Sequence, residues 1–422
     1  MDRGDNPLKN IGIIGGGVSS LHLGFTLLDE GLPATIYAPQ TAEQIAAGRM
    51  QNTVAHMPDT IERERALGID FWSREEVRTC NVRHYSLRVE PGKAVDFSGG
   101  LNGDERVIDY RVYLPRLMQA FTERGGRLVH QAVTPDDLDT LCEAHDLLAI
   151  GSGKSNGGFA DFFSPIPELS LHAEPPRVLC VGTFTGVNDR DPLGVTVGIS
   201  PGNGEIIALP METAYGSVMA LLFECRSDGE LADLPGLDYN AGNDAFNERI
   251  LEALADHYPT LHAHVDQNAF GLSSDNDLIQ GSFRPVTRRS WAELRPGKFA
   301  IAIGDLRCTQ DPLTGQGANL ASRGACSLGQ QIVGFEGQFD EAFCIDHEEQ
   351  TRYQVAGTVG FNNAMLDPQA HTQKLLGVMA ANEAVCTDFS TRFRAPHTIW
   401  FDILKDAATC DSYLAGFAAD AA

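Results

Sequence analysis

Residues Asn10 to Gly24, Asn-Ile-Gly-Ile-Ile-Gly-Gly-Gly-Val-Ser-Ser-Leu-His-Leu-Gly, constrain the fold more than any other stretch of the chain. An apolar strand runs directly into glycines at 15 and 17 and then into a helical pattern. This is how a chain sets bare backbone N–H groups and a helix N-terminus against a pyrophosphate. Gly15 permits the tight turn, and Gly17 lets the backbone approach the phosphates with no side chain between. Val18, Ser19 and Ser20 open the helix, and Ser20 stands where the fingerprint would have its third glycine. The motif is imperfect when read by itself.

Two later segments extend the same logic. The first is Asp146-Leu-Leu-Ala-Ile-Gly-Ser-Gly153, a short apolar strand with Gly151 at its tip. The second is Phe299-Ala-Ile-Ala-Ile-Gly-Asp305, followed by Asp311-Pro-Leu-Thr-Gly-Gln-Gly-Ala-Asn-Leu-Ala-Ser322. There a strand delivers Gly304-Asp305 to its carboxyl end, and a glycine-flanked turn opens a helix near Gly317. In a dinucleotide fold, Asp305 would accept a hydrogen bond from a ribityl hydroxyl. The helix N-terminus, with Gln316, Gly317, Ala318 and Asn319, would face the electron-rich pyrimidine edge of a flavin. Gly-Asp is a common turn and Gly-Gln-Gly a common loop, but the three segments in this order point to FAD.

Other chemistries find little support. Gly151-Ser-Gly-Lys-Ser155 looks like the tail of a phosphate-binding loop, yet the first glycine of that motif would have to fall at Leu148. No HExxH is present, the His262/His264 pair reads as a solvated surface, and Ser152 and Ser200 sit in no nucleophile elbow. Nine cysteines form no CxxC pair and no Cys/His spacing, so free thiols in a reducing cytoplasm and no metal are expected. A formal charge of -25 argues against nucleic acid as a partner. No apolar run reaches membrane-spanning length, and Met1-Asp-Arg-Gly-Asp-Asn lacks a signal-peptide pattern. The expected location is therefore cytoplasmic. No second GxGxxG unit follows a strand, which leaves no obvious NAD(P)H domain.

The 422 residues exceed the usual size of one core, so two domains are expected. Strand Ala34-Thr-Ile-Tyr37 is followed by Ala38-Pro-Gln40, where nucleotide folds usually carry an acid for the adenosine ribose. Without it, FAD should be held loosely. Residues 63 to 107 read as an irregular excursion. Tyr110 to Gly125 reads as an amphipathic helix with Tyr113, Leu114, Leu117, Met118 and Phe121 on one face. From Arg177 to about Ser282, runs such as Val178-Leu-Cys-Val181 and Ile206-Ile-Ala-Leu209 suggest a sheet covering the flavin, with a helix near Phe246–His257. After Ser322 the pattern is mostly helical.

The whole chain resembles the styrene/indole monooxygenases, the oxygenase components of two-component, FAD-dependent systems. The matching stretches are Leu21-His-Leu-Gly24, Arg49 with Asn52-Thr-Val-Ala-His56, Asp109-Tyr-Arg111, Ser200-Pro-Gly-Asn-Gly-Glu205, Asp277-Leu-Ile-Gln-Gly281 and Asp311 through Ser322. Asn-Thr-Val-Ala-His is the most family-specific of them. The resemblance implies an α/β fold: a Rossmann-like FAD-binding domain of the glutathione-reductase/hydroxybenzoate-hydroxylase type, an interleaved β-sheet substrate domain and a helical C-terminal part. The expected boundaries are 1–80, 106–172 and 290–340 for FAD binding, 81–105 and 173–289 for substrate, and 341–422 for the helical part.

It also implies the chemistry. A separate NADH:flavin oxidoreductase supplies reduced FAD, O2 adds to give a C4a-(hydro)peroxide, and its distal oxygen enters a styrene-like vinyl arene. Indole, other heteroaromatics and sulfides are alternative substrates, and a non-catalytic flavin-binding protein is the alternative of another class. A homodimer is left open. By resemblance, Asn52 and Thr53 lie beside the flavin as catalytic residues, and Arg49 meets its phosphates or its ring. An Asx-turn for Asn52 and a surface salt bridge for Arg49 are the plainer readings. The substrate cavity would involve Met50, Val54, His56, His84, Pro312 and Gly315, with Pro312 also touching the flavin. His56 and His84 read alone would be hydrogen-bonded structural residues. Two positions depart from the pattern: Asn81 replaces an aromatic residue and Glu105 a small hydroxyl residue, so the pocket should be more polar. A buried Glu105 would be protonated, pair with His84, or meet a polar group on the substrate.

Overall fold

The computed structural model describes residues 9–72, 81–92, 95–154, 158–188, 194–239 and 244–419, with the backbone alone at 81–84, 102 and 418–419. Strand Ile11–Ile14 has every side chain buried, as a central parallel strand covered on both faces must. Ala34–Ala38 flanks it on one side and Leu147–Ile150 on the other, both parallel to it. The complete sheet has six strands in the order Trp291–Arg295, Lys298–Ala302, Leu147–Ile150, Ile11–Ile14, Ala34–Ala38 and Arg127–His130. Only its first pair is antiparallel. This is the dinucleotide-binding sheet expected from the glycine turn.

Helix Val18–Asp29 packs against helix Gly317–Gly334 over this sheet, and Gly329 is what lets them close. A Cβ there would lie 2.6 Å from Thr26 Cγ2. The expected amphipathic helix is present as Tyr110–Glu123. Its apolar stripe, Tyr113, Leu114, Leu117, Met118 and Phe121, is buried in the core it shares with Ile11, Ile13 and Leu21. Asp109 caps it by accepting the Arg111 N–H.

A nine-stranded, largely antiparallel sheet forms the second layer. Strands Val178–Thr185, Gly194–Ser200, Gly204–Thr213 and Gly216–Cys225 supply its centre, and Asn81–Val89 joins alongside Gly194–Ser200 in parallel. Asp96–Val107 follows, and the two-residue strand Ala55–His56 closes that edge. A chain that leaves the first domain at residue 55 thus reaches the second sheet at once. Helix Ala245–His257 covers one face through Phe246, Ile250 and Leu254. The C-terminal helices from Glu341 onward cover the other, placing Phe361, Phe389 and Phe393 against Leu87, Val181 and Leu209. Gly99 permits this: a Cβ there would lie 2.7 Å from Cys386 Sγ. Among the described residues, no helix is long and apolar enough to cross a membrane, and no His/Cys/Asp/Glu group could hold a metal ion.

Candidate active site

Gly15 takes φ +117°, donates its N–H to Tyr37 O at 2.8 Å, and passes so close to the neighbouring strand that a Cβ would lie 2.2 Å from Gly151 O. Gly151 in turn donates to Ile14 O at 2.7 Å. Ser19 and Ser20 are buried behind this turn, and Ser20 Oγ has no hydrogen-bond partner among the described residues. Gly17, at the cap of the Val18–Asp29 helix, has open space in front of it: a Cβ there meets nothing within 4 Å. The glycines therefore divide their work. Gly15 and Gly151 let two strands meet, while Gly17 leaves the helix N-terminus accessible to an anion.

Asp305 lies one turn beyond strand Lys298–Ala302, half-buried, and Gly304 before it closes on Ser19. Burial raises the Asp305 carboxyl, against the pull of Lys154. Asp311 caps the following turn by accepting Leu313 N–H at 3.2 Å, and Gly315 ends that turn at φ +64°. No side chain caps helix Gly317–Gly334, and Gly317 and Ala318 at its start are half-buried. Gln316 and Asn319 are committed to the chain itself. Gln316 donates to Phe393 O at 3.0 Å. Asn319 donates to Ala55 O and Gly315 O, and accepts from Met57 N–H and Thr60 Oγ1, all at 2.7–2.9 Å. It is a clamp that seats the 55–60 segment on the turn that Gly315 ends.

That segment is fixed at its other end too. Met50 N–H donates to Asn276 O at 2.8 Å, and Arg49 donates to Leu278 O at 3.2 Å. Between the two anchors lies Asn52, half-buried, its Oδ1 shielded and without a hydrogen-bond partner among the described residues. Thr53 and Val54 are half-buried, but Val54 packs on the first-domain core while Met50, Ala55 and Met57 join the cluster under the second sheet. Leu313 packs against that same cluster from the turn Pro312–Thr314. An orphaned amide oxygen, an uncapped helix start and the space before Gly17 fit a dinucleotide flavin. Gly15, Gly17, Val18, Asp305 and the backbone of residues 316–319 would hold it.

His56 is turned to the opposite side from Ala55. Its Nδ1 lies 2.7 Å from Glu64 Oε1 and its Nε2 3.1 Å from Tyr110 OH, which occupies both ring nitrogens. Glu64 also accepts from Tyr113 OH at 2.7 Å, and Tyr113 OH meets His22 Nε2 at 2.8 Å. Burial would raise the Glu64 carboxyl, but the His56 ring and the His56 and Tyr113 hydrogen bonds hold it below the usual carboxylate range. Burial pushes His22 down to about 4, so it is neutral. Nothing in the sequence pattern singled out Glu64, whose partners come from three separate elements. Because its folded pKa is lowered, its stabilisation is present above the ordinary carboxylate pKa and lost as pH falls through the folded value. Glu64→Ala should destabilise the protein by about 3 kcal/mol at neutral pH, and the gap should narrow in acid. Urea midpoints measured at both pH values check this; equal midpoints at neutral pH would refute it.

On the second sheet, Asn81 stands opposite Arg106, Val82 opposite Glu105 and His84 opposite Gly100, with a register shift between. Arg106 turns its guanidinium to Asp70. Its neighbour Glu105 is buried, and burial pushes its carboxyl up to about 8. No ion pair or hydrogen bond reaches Glu105 among the described residues.

Residues 155–264 match the family model described as "Styrene monooxygenase A putative substrate binding domain". Styrene monooxygenase StyA from a Pseudomonas species is 33% identical over 397 residues, covering 93% of this chain and 94% of that protein. StyA from Pseudomonas fluorescens is 32% identical over the same shares. Among solved structures, the flavin-dependent brominase Bmp2 superposes with a TM-score of 0.68 at 11% identity, over 97% of this chain and 99% of that one. A 2-methyl-3-hydroxypyridine-5-carboxylic acid oxygenase superposes at 0.59 and 13% identity, over 92% and 98%. These two structures establish the flavoprotein fold alone. With a third of its residues shared with StyA over nearly its whole length, the chain belongs to the styrene monooxygenase family, as an oxygenase component.

Proposed function

We propose that this chain is the oxygenase of a two-component epoxidase. A separate NADH:flavin oxidoreductase would deliver reduced FAD, which would supply the oxygen-activating chemistry when bound, and the substrate is a styrene-like vinyl arene. When bound, the reduced flavin supplies the electrons that send one oxygen atom to the double bond and the other to water. The chain's own residues have three tasks. Gly15, Gly17 and the start of helix Val18–Asp29 receive the pyrophosphate, Asp305 takes a ribityl hydroxyl, and the backbone at 316–319 takes the pyrimidine edge. Asn52, with Thr53 beside it, offers its free Oδ1 to the flavin ring from a segment anchored at both ends. Met50, Ala55, Met57 and Leu313 make the apolar wall that excludes water and holds the arene.

The observation that carries this reading is the orphaned Asn52 Oδ1 between two anchors. A shielded amide oxygen left without a donor costs about 1–3 kcal/mol, and a bound partner removes that penalty. Indole and aryl sulfides fit the same electrophilic chemistry as secondary substrates.

The test is a coupled assay with a generic flavin reductase, NADH, FAD and a panel of aromatic alkenes. Epoxide should form only when the reductase is present, and the chain with FAD alone should not consume NADH or NADPH. Rapid NADPH oxidation without the reductase would overturn the two-component reading. Flavin binding with no oxygenated product from any alkene, indole or sulfide would favour a non-catalytic flavin-binding protein instead.

A further inference from the structure

Strand Gly216–Cys225 carries a carboxyl with no role in the chemistry above. Glu224 is 0% exposed, and among the described residues neither of its oxygens meets a donor. Directly across the ladder stands Glu205, on the same face. Like charges placed so repel, and each needs a counterion. The cation at hand is largely committed: Arg177 binds Glu205 in a fork, at 2.7 Å and 2.8 Å, and donates further to the carbonyls of Pro176 and Leu366, with none of its bonds reaching Glu224. A third carboxyl, Asp311, faces Glu224 within hydrogen-bonding reach. Tyr258 feels the Glu224 charge from the other face of the sheet, where it packs on Phe223, and its hydroxyl donates to Gly204 O. Two acceptor-only groups thus meet in a buried site with no donor between them. Only a proton can join them.

We propose that Glu224 and Asp311 share one proton, so that the Glu224 acid donates to the Asp311 carboxylate and clasps the flavin-facing turn to the second sheet. The turn is the one that Asp311 caps and Gly315 ends, so Glu224 is a positioning residue acting through Asp311. The inference rests on the flavin site proposed above. Burial first, then Asp311 and Glu205, raise the Glu224 acid well above the usual range, against the pull of Arg177. Because the folded pKa is raised, the stabilisation falls as pH climbs from the ordinary carboxylate range through the folded value. Above that value two carboxylates confront each other, and the turn should part from the sheet.

Three preparations of the full chain test this: the parent, Glu224→Gln and Glu224→Leu. Infrared difference spectra of the flavin-free protein in H2O and D2O should show a protonated-carboxyl carbonyl band in the parent that Glu224→Gln removes. FAD affinity, read by fluorescence quenching, should weaken in the parent as pH rises. Glu224→Gln keeps a donor towards Asp311 at every pH, so it should bind FAD as the parent does at neutral pH and lose the alkaline weakening. Glu224→Leu should bind about tenfold more weakly. A missing carbonyl band, or glutamine and leucine variants that behave alike, would overturn the proposal. If the parent bound no FAD at all, the flavin reading would fail, while the band and the part of the alkaline loss of thermal stability that Glu224→Gln removes would still report the shared proton.

Discussion

Gly17→Ala is expected to fold as the parent does and to bind FAD about thirtyfold more weakly. Gly17 has an extended backbone that any residue adopts, and a Cβ there touches nothing in the protein. The added methyl instead enters the space in front of the helix N-terminus, where a pyrophosphate would accept backbone N–H bonds. Pushing that group away forfeits about 2 kcal/mol of charge-assisted hydrogen bonding, which is about thirtyfold in affinity. Gly15→Ala is the contrasting case. It puts a Cβ 2.2 Å from Gly151 O at a left-handed φ, so the strands on either side of the turn must separate. Strain of about 1–2 kcal/mol adds to that displacement, and both stability and flavin binding should be lost. Denaturant midpoints and flavin fluorescence titrations on the two variants separate the effects. If Gly17→Ala retained full affinity, or unfolded as readily as Gly15→Ala, the pyrophosphate would not lie where the turn points.

The first βα unit was legible because its constraint is local: a φ of +117° and a close strand contact admit little besides glycine. Helices Tyr110–Glu123 and Ala245–His257 were legible because each buries one periodic stripe. Strand Asp96–Val107 was not, since Ser98-Gly99-Gly100 and Asp104-Glu105-Arg106 show no period of two. Its glycine at 99 answers to the helix bearing Cys386, nearly three hundred residues onward, and the adjacent Glu105 and Arg106 point to opposite faces for separate tertiary reasons.

Of the candidate site, the sequence shows positions and the structure their contacts. Asn319 falls on the expected turn, yet its side chain is spent on Ala55, Met57 and Thr60, so any help it gives a flavin passes through the backbone. His56 falls at the end of the segment that carries Asn52, yet Glu64 and Tyr110 hold its ring on the far side from Met50. Glu64 and Glu224 escaped a linear reading entirely. A lone acid in a helix or strand looks solvated until the fold brings its partners in from distant segments.

Glu105→Ser should shift substrate preference towards plain styrene by about tenfold relative to analogues that carry a hydroxyl, amine or ring N–H. The parent residue is 3% exposed. Its strand neighbour Val107 lies in one cluster with Met50, Ala55 and Met57, and Tyr85, whose hydroxyl feels the Glu105 charge, packs on Phe393 at 4.9 Å. Phe393 in turn offers its carbonyl to Gln316, so this cluster continues into the start of helix Gly317–Gly334. With its pKa pushed up to about 8 by burial, Glu105 is mostly a neutral acid at pH 7, able to donate and to accept. A hydroxyl on the substrate can satisfy it, whereas plain styrene leaves it unpaired. One unmet buried polar contact is worth about 1–3 kcal/mol, hence the tenfold shift. The raised pKa also fixes the sign with pH: stability should fall between the ordinary carboxylate range and about 8 in the parent, and the serine variant should lack that slope. Competition for kcat/KM between styrene and a hydroxylated styrene, run with parent and variant below and above that pH, decides the matter. An unchanged ranking in Glu105→Ser would remove the carboxyl from the substrate wall and leave a plain styrene-type pocket.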